Sequence, residues 1–118
     1  MKMIRAIIRP ESVQPVIHAL EKIGIDAMTR MNVTGRGKEM GISQGAIRYT
    51  EIPKEMLMMV VPDYVVARTV TVIRTEARTS STMSLDGGNI GDGKIFVTDV
   101  EEAYTIRTSE KTTGTERV

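Results

Sequence analysis

Residues 2–9, Lys-Met-Ile-Arg-Ala-Ile-Ile-Arg, alternate with period two. Ile4, Ala6 and Ile8 share one face and Met3, Arg5, Ile7 and Arg9 the other, which predicts a strand ended by Pro10. The period then changes. Val13, Val16, Ile17, Leu20 and Ile23 recur at helical spacing, with Ser12 as the expected N-cap and Gly24 closing the helix. Pro15 falls in the first turn, where its missing N–H costs little. From Ile25 the period returns to two through Ala27, Thr29, Met31 and Val33, predicting a second strand that ends at Gly35. Residues 36–52 hold three glycines and scattered charges with no sustained period, so a long loop is expected there, of a length that usually carries function or disorder.

Met56 to Val61 is apolar at every position, the pattern of a strand covered on both faces. Pro62-Asp63 then opens a second helix, with Asp63 as N-cap and Val66, Val70, Ile73 and Ala77 as its stripe. Residues 79–93, rich in Ser, Thr, Gly and Asp, read as a second loop. Lys94 to Val97 and Ala103 to Thr108 read as short strands, and the tail from Ser109 to 118 as polar and frayed. The order β-α-β-β-α-β, plus a short extra strand, makes residues 1–118 a single α+β domain of ferredoxin-like architecture. Two helices cover one sheet face only. The third strand is apolar on both faces, and the first carries Met3 and Ile7 on its far side, so other copies of the chain are expected to cover the second face.

Composition narrows the function. Sixteen Lys and Arg against 15 Asp and Glu leave +1, which gives no bulk reason to expect nucleic acid or an anionic membrane. With no Cys and one His (His18, off the apolar stripe of its helix), disulfide frameworks, zinc ribbons, cysteine nucleophiles and His-rich metal sites are excluded. No Trp, one Phe and three Tyr leave little stacking surface for single-stranded RNA. The run Met56 to Val61 is too short to span a bilayer, and the charges at Lys2, Arg5 and Arg9 interrupt any signal segment, so a cytoplasmic protein is expected.

Two glycine-rich stretches carry candidate chemistry. In Gly35-Arg36-Gly37-Lys38-Glu39-Met40-Gly41, close glycines let backbone N–H groups turn toward an anion while Arg36 and Lys38 add charge. Gly88 to Lys94 has the P-loop spacing, but Ile95 stands where a magnesium-holding Ser or Thr belongs, and a strand-like run follows in place of a helix. Gly91-Asp92-Gly93-Lys94 therefore reads either as a phosphate contact or as a tight hairpin turn. Arg107, placed on the last strand, matters only if it converges with Lys94. Glu101 and Glu102 are adjacent and point apart on a strand, so no acid–base pair is evident and the chain is read as a non-enzyme.

Together these stretches resemble one family, the nitrogen-regulatory PII signalling proteins. The resemblance runs through Ala6-Ile7-Ile8-Arg9-Pro10, Ile23-Gly24-Ile25, Met28-Thr29, Pro53-Lys54, Val60-Val61-Pro62-Asp63, Ile90-Gly91-Asp92-Gly93-Lys94-Ile95-Phe96-Val97 and Ile106-Arg107-Thr108. It implies a homotrimer of ferredoxin-like subunits that binds ATP or ADP in clefts between subunits and 2-oxoglutarate beside MgATP. Carried over by position, Thr29 and the backbone near Val60 meet the adenine. Gly35, Arg36, Gly37 and Lys38 on one side, with Gly91, Asp92, Gly93, Lys94 and Arg107 on the other, hold the phosphates. Lys54 pairs with a carboxylate of 2-oxoglutarate, Gly37, Glu39, Met40 and Gly41 complete that site, and Glu39 is the magnesium ligand.

Four departures from the family pattern stand out. Glu39 replaces the usual Gln, adding negative charge beside two anions, which predicts weaker or more magnesium-dependent 2-oxoglutarate binding. Thr105 replaces a phosphate-binding Arg. The recognition loop 36–52 is shortened and its Tyr49 has altered flanks, so modification of Tyr49 is not expected. Residues 79–89 contain an insertion. The shortened loop and its flanks look like the subgroup encoded beside nitrogenase genes in archaea and some anaerobes, which implies nitrogenase as the target and a hetero-assembly with a second PII-like protein as an alternative to the homotrimer. The rival readings are a general PII protein controlling an ammonium transporter or glutamine synthetase, a nucleotide hydrolase built on the near-P-loop, and a ferredoxin-like RNA binder.

Overall fold

Strand β1 (Lys2–Ile8) is the most apolar of the alternating segments and forms the centre of the sheet. It pairs antiparallel with β3 (Ile47–Val61) on one side and β4 (Gly93–Asp99) on the other, and β2 (Thr29–Met40) pairs with the outer edge of β3, giving the order β2-β3-β1-β4. Helices α1 (Val13–Lys22) and α2 (Val66–Ala77) complete the β-α-β-β-α-β order of a ferredoxin-like fold. The computed structural model describes residues 1–40, 47–79, 88, 89 and 91–113, and the side chains of all of these except 38–40 and 47–50. No helix among the described residues is long and apolar enough to cross a membrane.

One face of the sheet meets the helices. Ile4, Ala6 and Ile8 of β1, Leu57, Met59 and Val61 of β3, Val13, Val16 and Leu20 of α1, and Ile73 and Ala77 of α2 form a single buried core. Thr69 is buried among them, a polar residue absent from the apolar stripe. Its hydroxyl is satisfied one turn back, donating to the Val65 carbonyl at 2.8 Å. The far face carries Met3, Ile7, Met56, Met58 and Val60 in cross-strand register, flanked by Met31 on β2 and Phe96 on β4. Phe96 is 46 % exposed and Met31 36 %.

Several boundaries differ from the sequence reading. The helix starts differ because a 3-10 turn precedes each. Pro10–Ser12 leads into α1 and Ser12 makes no side-chain cap bond, while Asp63–Val65 leads into α2. Asp63 is no N-cap: it takes the N-terminal amine of Met1 at 2.8 Å. Gly24 does close α1, at φ +85°, with Ile25 N–H on the Leu20 carbonyl and Gly24 N–H on that of Glu21. That turn pulls Ile25 into the helix-side core and leaves Ala27 exposed, which breaks the alternation and delays β2 until Thr29.

The expected loop 36–52 is mostly strand. Backbone pairing runs from Thr29 opposite Met58 to Met40 opposite Ile47, so only 41–46 lie outside the described residues. β1 stops pairing at Glu55, and beyond it β2 and β3 continue as a two-stranded arm of about 27 Å. Pro53 is tolerated there because β3 has become an edge. At the other end of the chain, only Ala103–Tyr104 of the expected strand 103–108 is β5. It pairs with β6 (Lys111–Thr112), which lies in the tail read as frayed; 114–118 lie outside the described residues. Arg107 therefore sits in the β5–β6 turn and not on a strand.

Candidate functional site

Three strand ends meet where the arm leaves the body: the end of β1, the start of β4, and β3 just past its last pairing with β1. Lys54 lies at this junction on the far face. It is only 9 % exposed and donates its Nζ to the Gly91 carbonyl. Its long stem crosses Gly35 of β2. A Cβ at Gly35 would stand 3.1 Å from Lys54 Cγ, so a glycine there lets the lysine lie flat across the strand. Burial, and after it the Arg9 guanidinium, hold the Lys54 amine below its ordinary pKa, against the pull of Glu11 and Asp92.

The turn Gly91-Asp92-Gly93-Lys94 is shaped by backbone chemistry. Gly91 has φ +96° and Gly93 φ +125°, and a Cβ on Gly93 would collide with the Ile7 carbonyl. No strand precedes this turn among the described residues, and β4 follows it directly, which rules out the strand–loop–helix context of a P-loop. Within the turn the Asp92 carboxylate is fully engaged. Oδ1 accepts from Arg9 Nε at 3.2 Å and Thr79 Oγ1 at 2.8 Å, and Oδ2 accepts from the N–H of Thr79 at 3.1 Å and of Asn89 at 2.8 Å. Asn89 Nδ2 also donates to Thr79 Oγ1 at 2.7 Å. Burial alone would raise the Asp92 pKa, but the hydrogen bonds from Asn89, Thr79 and Arg9 outweigh it and hold the carboxyl below its usual range.

The structure thus brings Gly35, Lys54, Gly91, Asp92, Gly93 and Lys94 together, and adds Arg9, Thr79 and Asn89, which the sequence reading missed as site residues. An Asp between two glycines was the available signal, since such an Asp commonly bonds nearby backbone N–H groups. Thr29 and Val60 lie at the opposite end of the sheet. Val60 pairs with Met3 whereas Gly93 pairs with Ile8, five rungs or about 17 Å along β1. A cleft of about 410 Å³ opens beside Val60, between the end of α1 and Pro62–Val65. Arg36 is exposed and Gly37 half-buried on the arm, and Arg107 is exposed in its turn, apart from the junction. The backbones of Lys38, Glu39 and Met40 pair with Tyr49, Arg48 and Ile47. Gly41, Ile90 and most of the insertion 79–89 (residues 80–87) lie outside the described residues, as does the side chain of Tyr49.

Comparison with known proteins gives a consistent result. The family described as Nitrogen regulatory protein P-II matches residues 1–110. The chain is 51 % identical over 110 residues to a "Nitrogen fixation nifHD1 region GlnB-like protein 1" of Methanosarcina barkeri, covering 93 % of this chain and 97 % of that one. It is 48 % identical over 111 residues to a "Nitrogen fixation nifHD region GlnB-like protein 1" of Methanobacterium ivanovii, covering 94 % and 98 %. A "Nitrogen regulatory protein P-II 1" of Methanothermobacter thermautotrophicus is 44 % identical over 114 residues, covering 93 % and 92 %.

Proposed function

The chain belongs to the P-II family of nitrogen regulatory proteins, and from that premise we propose that it is a cytoplasmic, trimeric regulator of nitrogen fixation that senses ATP, ADP and 2-oxoglutarate and catalyses no reaction. The observation that carries this reading is the junction itself. Lys54 is buried against the Gly91–Lys94 turn at the root of the β2–β3 arm, so a ligand at the turn touches the element that projects from the body. The backbone of Gly91-Asp92-Gly93 and the Lys94 amine take the phosphates, aided by Gly35, Gly37, Arg36 and Lys38 on the arm and by Arg107. Thr29 and the cleft beside Val60 take the adenine.

The two half-sites stand at opposite ends of one sheet, too far apart for one compact nucleotide. A base held by one copy and phosphates held by the next satisfy both, which favours a site between subunits. The apolar far face supplies the surface that such copies bury. Lys54 pairs with a carboxylate of 2-oxoglutarate, and Glu39 holds the magnesium that joins it to ATP. Effector binding at Gly37 to Gly41 competes with the last rungs of the arm ladder, and the shape of the arm then selects the target.

The names of the relatives from nitrogen-fixation regions support nitrogenase as that target. The relative named P-II 1 favours the second reading, control of an ammonium transporter or glutamine synthetase. The protein that co-purifies with the chain from nitrogen-fixing cells separates the two. The primary test is calorimetric titration of 2-oxoglutarate with and without MgATP. Binding only in the presence of MgATP is expected. ATP binding without any 2-oxoglutarate response would reduce the protein to an adenylate sensor.

A further inference from the structure

Resting on the nucleotide reading above, we propose that the Asp92 carboxylate does not touch the nucleotide but is a positioning and charge-setting group, which ties Arg9 to Thr79 and Asn89 and tempers the anion affinity of the turn. Among the described residues its close donors are four: Arg9 Nε, the Thr79 hydroxyl, and the backbone N–H groups of Thr79 and Asn89. A carboxylate that accepts two donors on each oxygen already has its acceptor capacity taken up by the protein. The side chain is 17 % exposed.

The chemistry separates two roles of this one group. Oδ2 receives two backbone N–H groups that fasten residues 79 and 89 to the start of β4, which fixes the turn that presents Gly91 to Lys54. Oδ1 faces Arg9, and the charge of the carboxylate also supports the Lys54 amine, after that of Glu11. In Asp92→Asn the amide oxygen can take the Oδ2 position and keep both backbone bonds, while the amide nitrogen, a donor, removes the charge beside Arg9 and gives up the bond from Arg9 Nε. In Thr79→Ala both hydroxyl bonds, to Asp92 Oδ1 and from Asn89 Nδ2, are lost and the charge stays.

Nucleotide phosphates then meet a site one unit more positive in Asp92→Asn. MgATP affinity should rise about threefold to tenfold at low salt, and the gain should fade as salt is added. Independently of any ligand, the Lys54 amine should titrate at lower pH in Asp92→Asn, because the carboxylate that supports its charge is gone. Thr79→Ala keeps the Asp92 charge, so it should leave the Lys54 titration in place while lowering the melting temperature. The experiment is a calorimetric MgATP titration together with an NMR titration of the Lys54 side chain, on wild type, Asp92→Asn and Thr79→Ala. Weaker MgATP binding in Asp92→Asn, matching that of Lys94→Ala, would assign Asp92 to the ligand shell and overturn the proposal, as would an unmoved Lys54 titration. If wild type binds no nucleotide, the functional reading fails, and the Lys54 titration alone decides the role of Asp92.

Discussion

The two faces of the β2-β3-β1-β4 sheet are built from nearly the same side chains and live in different surroundings. Leu57 and Met58 are neighbours in one strand, yet Leu57 is wholly buried against the helices while Met58, half-buried, lies on a face that no described element covers. Alternation assigns each residue to a face but does not say what lies beyond it. The helix-side face needs only this chain. The far face, with five apolar residues in register on β1 and β3, carries more apolar surface than a monomer has reason to keep.

The largest expected effect breaks that far face. Met58→Glu places a charge at its centre, and light scattering should show the assembly reduced to folded monomers with little change in circular dichroism; an unchanged mass would mean that copies do not meet there. On the opposite face of the same strand, Leu57→Ala should cost about 3 kcal/mol in denaturant unfolding, since it opens a cavity in packed core, without altering which copies associate. A smaller loss follows at the rim of the helix side. There Arg30 grips Glu55 through two bonds, at 2.6 and 2.9 Å, and Glu55 is buried. Arg30→Ala leaves that carboxylate without its fork and should lower the melting temperature, and Arg30→Lys should recover only part, because an ammonium cannot make both bonds.

The smallest effect concerns the N-terminus, where Met1 is buried and its amine meets Asp63. The hydrogen bond from that amine, more than burial opposes it, holds the Asp63 carboxyl below its ordinary pKa. A carboxyl depressed on folding stabilises fully above its unfolded value, about pH 4, and the contribution is lost as pH falls through the lower folded value. Asp63→Asn should therefore melt below wild type at neutral pH, with the gap closing in acid. A gap that persists in strong acid would show that the amine–carboxylate pair is not its source.

Local pattern made most of this body legible. Ile4, Ala6 and Ile8, the stripe of α1, and the closing Gly24 follow from periodicity and the left-handed preference of glycine, because neighbours in sequence settle them. The arm was illegible for the opposite reason. Residues 36–40 and 47–52 show no period, and they are strand because backbone pairing continues from Thr29–Met58 outward whatever the side chains are. Thr69 was missed as core since its hydroxyl is satisfied within its own helix. In the candidate site, Gly91, Gly93 and Lys94 were readable as an anion-facing turn, while Arg9, Thr79 and Asn89 were not, lying 83, 13 and 3 residues from Asp92.

The sequence by itself determined the order of elements, the helix-side core and the presence of a glycine-rich turn ending in lysine, since each rests on spacing within a few residues. Only the tertiary structure decided that Lys54 lies buried on that turn, that the Asp92 carboxylate bonds Arg9, Thr79 and Asn89, that Arg107 stands apart, and that no described element covers one face of the sheet. Those outcomes depend on which distant strand ends meet, and the cost of burying a charge or leaving a donor unpaired is fixed only once they have met.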